Sequence, residues 1–139
     1  MGNAATRLRR DSVFRAAPGE LLALSSIAPP IKASTILLVG LGDPVHWTPA
    51  ILGMALQSAA RDVRRRCASS ASFAPSLLDS GIEFNDPDVI AEQMLGGLFQ
   101  CATAPSKAEA KLWLFCADSA RLTATHASLS RAFVKYAAC

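Results

Sequence analysis

Aromatic residues and histidines are scarce in this chain. Phenylalanine, tryptophan and tyrosine make up 6% of the 139 residues, and His46 and His126 are the only histidines. Surfaces that bind single-stranded nucleic acid need aromatic side chains among basic ones for base stacking, and zinc modules place their ligands at short, regular spacings. Neither pattern occurs here. We therefore expect no nucleic-acid partner and no metal site.

The chain also has little charge and no long hydrophobic run. Charged residues make up 18% and apolar residues 51%, a balance that favours a folded chain over a disordered one. The longest strongly apolar run, residues 36–41, is far shorter than the ~20 residues of a membrane-spanning helix. The first residues lack the apolar segment of a secretory signal. We expect a cytoplasmic protein that does not engage a membrane.

Cysteine pairs of the C-x-x-C type are missing as well. The four cysteines are Cys67, Cys101, Cys116 and Cys139. Three of them fall in segments with the pattern of an apolar helix or strand. We expect them to be small buried hydrophobic side chains in a reducing compartment.

What the chain does contain is an alternation of strand and helix patterns. Strands are predicted at residues 20–25, 34–40, 71–74 and 111–117, and helices at residues 47–66, from 86 to about 101–105, and at 122–136. The apolar runs around Ile36 and Trp113 are typical of central strands. This order predicts an α/β fold: a single three-layer domain with a mostly parallel or mixed sheet flanked by helices, with those two strands side by side.

The predicted helices have clear start signals and apolar stripes. Thr48 followed by Pro49, and Asp86 followed by Pro87, are typical helix beginnings. The stripe of the last helix, at 3.6-residue spacing, consists of Leu122, His126, Leu129, Phe133 and Tyr136. We therefore expect His126 to be partly buried.

The turn at Gly40, Leu41 and Gly42 is the candidate ligand site. It follows a strand and precedes a helix, where backbone N–H groups can bind a phosphate. Asp43 follows directly. The third glycine of a dinucleotide fingerprint is absent, so a plain strand-to-helix turn is the alternative interpretation.

Three other groupings have simpler explanations than function. They are a Ser–His–Asp set (Ser119, His126 and Asp118), an acidic loop (Asp79, Glu83, Asp86 and Asp88) and a basic helix end (Arg61, Arg64, Arg65 and Arg66). No serine lies in a G-x-S-x-G turn, and basic residues complement the carbonyl end of a helix. We predict no catalytic residue and no cofactor.

Two stretches resemble the N-terminal domain of the leucyl aminopeptidase, or cytosol aminopeptidase, family. Residues 18–24 read PGELLAL and residues 31–43 read IKASTILLVGLGD, similar to the family's glycine-bounded strand, lysine-containing connection and LLVGLG strand. The later helix and strand patterns continue in the family's order. The resemblance covers residues 18–136, and residues 1–17 are expected to form a flexible or partly helical segment before a domain at 18–139.

The resemblance implies a macro-domain-like fold that helps to organise an oligomer. In the family, the two-metal peptidase site belongs to a separate C-terminal domain, whose Asn-Thr-Asp-Ala-Glu-Gly-Arg signature does not occur here. The expected function is that of a stand-alone, non-catalytic relative acting in oligomerisation or as a partner or regulator of a peptidase. The alternative is a macro-domain-like module that binds ADP-ribose or a nucleotide at Gly40, Gly42 and Asp43.

Overall fold

Strands and helices follow one another in the order that the sequence predicts. The computed structural model describes residues 6–8, 10–25, 27, 29–73, 86–102, 112–117 and 119–137. From residue 21 onward the described elements are β1 (Leu21–Ser25), β2 (Thr35–Val39), α1 (Pro49–Arg65), β3 (Ser70–Phe73), α2 (Pro87–Ala102), β4 (Leu112–Phe115) and α3 (Leu122–Ala137). Short 3-10 turns at Pro44–His46 and Ser119–Arg121 precede α1 and α3. The α/β class is confirmed.

Two of the helices begin at the predicted start signals. Thr48 has an extended backbone, with φ of −138° and ψ of 157°, and Pro49 opens α1, where the missing proline N–H is no loss. Asp86 caps α2, because its side chain accepts a hydrogen bond from the N–H of Asp88 at 2.9 Å. The apolar stripe predicted for α1 consists of Ile51, Leu52, Ala55, Leu56, Ala59 and Val63; all of these are buried except Ile51, which is half-buried.

The helix α2 lies between α1 and α3, and α2 and α3 run in the same direction. Two ion pairs show this direction: Arg131 contacts Asp88 at 2.6 Å, and Lys135 contacts Glu92 at 3.0 Å. Moving one turn towards the C-terminus of α2, from Asp88 to Glu92, moves the partner one turn towards the C-terminus of α3. Parallel helices joined through a strand are typical of α/β folds.

The described strands form two separate pairs. The strands β1 and β2 pair antiparallel, with Leu21 opposite Val39 and Ser25 opposite Thr35. The strands β3 and β4 pair in parallel, with Ser70 opposite Leu112. The expectation that the strands near Ile36 and Trp113 are neighbours is therefore wrong, since β2 and β4 belong to different two-stranded sheets. An apolar run predicts that a strand is covered, but it does not specify the strand beside it.

The hydrophobic core joins the helices to one face of the β3–β4 pair. One cluster surrounds Leu52, Leu56 and Met94, and a second contains Ala91, Leu95 and Ala132. Phe115 of β4 packs against both clusters, and Phe73 of β3 packs against the first. The Phe73 and Phe115 rings meet edge to face, with centroids 6.3 Å apart. This face of the pair is therefore the inner one.

The last helix is rotated relative to its predicted orientation. Its buried residues are Ser128 and Ala132, whereas His126 is exposed and Leu122 and Phe133 are more than half exposed. At 100° per residue, the two buried residues are centred roughly 100° around the helix from the centre of the predicted stripe. The prediction of a partly buried His126 is wrong, because small side chains allow α3 to approach α2 more closely than the large residues would.

The prediction of buried cysteines is also wrong for the two cysteines whose side chains are described. Cys67 follows α1 and Cys116 follows β4, and both thiols are free and exposed. The side chains of Cys101 and Cys139 lie outside the described residues. A cysteine in an apolar pattern is typical of a core residue, but both of these positions lie just past the end of an element.

Candidate functional site

The glycine turn after β2 is held by backbone hydrogen bonds to the N-terminal segment. The N–H of Gly40 donates to the carbonyl oxygen of Glu20 at 2.8 Å, and the N–H of Gly42 donates to that of Ala16 at 2.8 Å. The Gly40 carbonyl oxygen in turn accepts from the N–H of Gly19 at 2.9 Å. The backbone amides of Gly40 and Gly42, which the sequence predicts as phosphate ligands, thus donate their hydrogen bonds to carbonyl oxygens of the chain itself.

Close approach of two backbone segments explains why glycine occupies both positions. A Cβ atom on Gly40 would lie 2.1 Å from the carbonyl oxygen of Ala17. Gly42 has a φ of +78°, in the region that favours glycine, and a Cβ atom there would lie 2.8 Å from Cγ of Pro18. Residues 16–18 therefore fill the space beside the turn.

Glu20 fixes the segment that occupies this space. Its carboxylate accepts hydrogen bonds from the backbone N–H of Arg15 at 3.1 Å and of Ala17 at 2.9 Å. These two bonds lower the pKa of Glu20 below its ordinary value, since they stabilise the charged form. Phe14, just before the segment, is buried. The N-terminal segment is thus held against the domain by the buried side chain of Phe14 and by the hydrogen bonds to the Glu20 carboxylate.

Asp43 caps the short turn that leads to α1. Its Oδ1 accepts a hydrogen bond from the N–H of Val45 at 3.0 Å, and its Oδ2 lies 3.7 Å from Nδ1 of His46. Both side chains are exposed to solvent. Like the two glycines, Asp43 has a structural contact in the described part of the chain. Binding of ADP-ribose or a nucleotide at these residues stays a prediction, and none of the contacts favours it.

The structure describes only part of the Ser–His–Asp set and of the acidic loop. Ser119 and His126 are exposed on consecutive elements, and Asp118 lies outside the described residues, as do Asp79 and Glu83. Asp86 caps α2 and Asp88 pairs with Arg131. No group of three or more histidine, cysteine, aspartate or glutamate side chains in the described ranges is placed to hold a metal ion.

The basic end of α1 is organised around one buried carboxylate. Asp62 is 6% exposed and accepts hydrogen bonds from Arg65 and Arg66. Burial opposes the ionisation of Asp62, but the two arginine hydrogen bonds outweigh it, so the pKa of the carboxyl lies below its usual value. These arginines therefore stabilise the end of the helix.

The outer face of the β3–β4 pair is a surface that the sequence reasoning missed. Along each strand exposed and half-buried residues alternate, so that Phe73 and Phe115 point inward while Ser72, Leu112 and Leu114 are exposed. Leu112 is 51% and Leu114 52% exposed. The signal was present in β3, whose Ser-Ala-Ser-Phe sequence alternates between polar and apolar residues, as in a strand covered on one side.

The fold and this surface define a class of protein: an α/β domain with its helices packed on one face of a parallel strand pair. The chain belongs to the cytosol aminopeptidase family, because the model of the family's N-terminal domain matches residues 1–103. That match includes residues 1–17 and extends to the end of α2. A search of curated protein sequences found no significant match. Among the described helices, none combines the length and hydropathy that a transmembrane span requires.

Proposed function

We propose that this domain acts by associating with other protein chains, either its own copies or a separate peptidase, and does not itself cleave peptides. Its membership of the cytosol aminopeptidase family rests on the N-terminal domain. The observation that carries the proposal is the outer face of the β3–β4 pair, where Leu112 and Leu114 are each about half exposed.

Two exposed leucines on the same face of one strand favour association. Fully burying a leucine side chain contributes about 1.5–3 kcal/mol relative to exposure. Covering the exposed halves of Leu112 and Leu114 would thus contribute about 2 kcal/mol in total. A two-stranded sheet is also stabilised when further strands or another layer pack against it.

Sedimentation velocity and an activity assay test this function together. We expect the purified chain either to self-associate between micromolar and millimolar concentration or to form a complex with a purified cytosol aminopeptidase. We expect no hydrolysis of amino-acid amides by the chain alone, with zinc or manganese supplied. A chain that both stays monomeric and fails to bind the peptidase, or one that hydrolyses amides by itself, would contradict the proposal.

A further inference from the structure

We propose that Ser12 is a phosphorylation site for a basic-directed protein kinase, one that recognises arginines ahead of the serine it modifies. Residues 9–13 read RRDSV, so Arg9 and Arg10 stand three and two positions before Ser12, and Val13 follows it. Kinases select their substrates by charge patterns of this kind. Arg9 lies outside the described residues. The modification would be independent of the proposed function.

The described part of this segment leaves Ser12 accessible to solvent. Residues 10–13 are all exposed, and Val13 is 58% exposed although its side chain is apolar. Phe14, the next residue, is buried. The serine therefore lies just outside the position at which the segment becomes buried, where an enzyme can approach it.

The reaction is the transfer of a phosphoryl group from ATP, which the kinase holds together with Mg²⁺. The Oγ atom of Ser12 forms a bond to the γ-phosphorus of ATP, and the bond from that phosphorus to the bridging oxygen breaks, so that ADP leaves. A carboxylate of the kinase accepts the hydroxyl proton. The hydroxyl must therefore enter the cleft of the kinase, which requires the residues around it to extend.

Few contacts oppose this extension. Ser12 has a φ of 56°, so its backbone has to change conformation. In the described part of the segment the turn is closed by backbone hydrogen bonds from residues 11, 13 and 14 to the carbonyl oxygens of Arg7 and Leu8, at 2.9 to 3.2 Å. These bonds join residues that are close in the chain, so breaking them leaves the strands and helices intact. Local contacts of this kind open at little cost in free energy.

Ser69 provides an internal comparison, because it is also exposed and has Arg66 three positions before it. There, however, the side chain of Arg66 binds the buried Asp62, and its N–H donates to the carbonyl oxygen of Asp62 at 3.0 Å. Ser70, directly after Ser69, begins β3. Extending the chain at Ser69 would break the end of α1 and the start of β3 together. We therefore expect Ser69 to stay unmodified in the folded chain.

A phosphate on Ser12 would reverse much of the local charge. Residues 7–15 contain four arginines and one aspartate, a formal charge of +3. Phosphoserine contributes about −2 at neutral pH, which leaves about +1. Arg10 and Arg15 are exposed and lie within three residues of Ser12, and arginine pairs with phosphate through two parallel hydrogen bonds. The modification would therefore convert a basic segment into one whose arginines are largely neutralised.

Phosphorylation of the full chain tests the site. The probe is the catalytic subunit of the cAMP-dependent protein kinase with Mg²⁺ and ATP, and peptide mass spectrometry locates and times the incorporated phosphate. We expect Ser12 to be modified on the order of ten times faster than Ser69, or more, because the chain opens less readily at Ser69. Ser12→Ala should abolish the rapid incorporation, and Ser69→Ala should not. Faster modification of any other serine or threonine than of Ser12 would overturn the proposal.

Two arginines of the same segment supply a matched pair of variants. Arg7 and Arg10 are both exposed, but only Arg10 stands two positions before Ser12. Arg10→Ala should lower kcat/KM at Ser12 on the order of tenfold, because a charge-assisted contact with the kinase is lost. Arg7→Ala should change it by less than about twofold, as expected for a charge outside the contact. Equal effects of the two substitutions would contradict recognition of Arg10.

A peptide of residues 7–17 separates the motif from the fold. Its kcat/KM is the upper limit for this sequence, and the full chain should reach at least about a tenth of it, since only local contacts have to open. A full chain that falls below this fraction would show that the folded domain shields Ser12, and a peptide that is not modified would reject the motif. Either result would overturn the proposed site and leave the proposed function untouched.

Discussion

A Cβ atom added to Gly97 of α2 would lie 2.3 Å from the carbonyl oxygen of Gly53 in α1. The backbones of the two helices therefore touch at this crossing, with no side chain between them. Backbone atoms cannot rotate away as the end of a side chain can. The two glycines thus set the distance between α1 and α2, and with it the depth at which Leu56 and Met94 meet in the core.

The substitution Gly97→Ala should destabilise the domain by about 1–3 kcal/mol, the usual cost of forcing an extra methyl group into a packed core. In a solvent-exposed helix the same change would increase the free energy of unfolding by as much as about 1 kcal/mol, because alanine is the better helix former. The sign of the effect is therefore diagnostic. Urea unfolding followed by circular dichroism measures it.

The neighbouring glycine supplies the control. A Cβ atom on Gly96 would lie 2.7 Å from the hydroxyl oxygen of Tyr136, which sits at the end of a side chain that can shift. Gly96→Ala should therefore lose less stability than Gly97→Ala. If Gly97→Ala were as stable as the original chain, the close crossing of α1 and α2 would be disproved.

Replacing Asp62 with asparagine should also destabilise the domain. The buried carboxylate accepts hydrogen bonds from Arg65 and Arg66, and asparagine keeps the shape of the side chain but removes its charge. A hydrogen bond that involves a charged group contributes about 1.5–3 kcal/mol. Both arginines are partly exposed, which reduces the contribution of each bond here. We expect a loss of about 1–2 kcal/mol at pH 7 by urea unfolding.

The contribution of Asp62 should disappear in acid. The pKa of this carboxyl is lower in the folded domain than the ordinary pKa of an aspartate side chain. Its stabilising effect is therefore fully present above the unfolded pKa and is lost as the pH falls through the folded pKa. The stability difference between the original chain and Asp62→Asn should narrow below about pH 4. Asp11→Asn, at an exposed position, is the control, and a difference that widened in acid would refute the ion-pair account.

Local patterns in the sequence predicted the elements well. The start of α1 at Pro49 and of α2 at Pro87 followed from a capping residue and a proline, both of which act within one helical turn. The order of strands and helices likewise followed from periodicity. These properties depend on residues that are close together in the chain, so the sequence can specify them alone.

Properties that depend on distant contacts were predicted less well. Spacing alone placed Phe133 and His126 in the core, but the face that α3 buries is decided by its fit against α2, where Ser128 and Ala132 allow a closer approach. The partner of β2 was missed for the same reason. At the glycine turn the pattern indicated a phosphate site or a plain strand-to-helix turn, but it did not show that the backbone of Ala16 and Ala17 packs against the turn.

The N-terminal segment provides a test of that turn. Because a Cβ atom on Gly40 would clash with the Ala17 carbonyl oxygen, Gly40→Ala should displace residues 16–18 from the domain. The peptide bond after the exposed Arg15 would then be cut by trypsin on the order of ten times faster, as expected when a segment opens locally. Limited proteolysis with mass spectrometry measures the rate. Ser34→Ala, an exposed position in the preceding loop, should not change it.

The ion pairs between α2 and α3 make a charge-swap experiment possible. The hydrogen bond to Glu92 raises the pKa of Lys135, and the hydrogen bond from Arg131 lowers the pKa of Asp88, so the charged forms of Lys135 and Asp88 are favoured. Lys135→Glu puts two carboxylates side by side and should lower the melting temperature by a few degrees at low ionic strength. Glu92→Lys should do the same by opposing two ammonium groups.

The double variant Glu92→Lys with Lys135→Glu restores an ion pair of reversed polarity. We expect its melting temperature to return close to that of the original chain, and high salt to reduce the differences among all four proteins because these pairs are exposed. A double variant whose loss equals the sum of the two single losses would mean that the side chains do not meet. Because α3 lies beyond the residues matched by the family model, this cycle tests the contact between α3 and α2 independently of the family match.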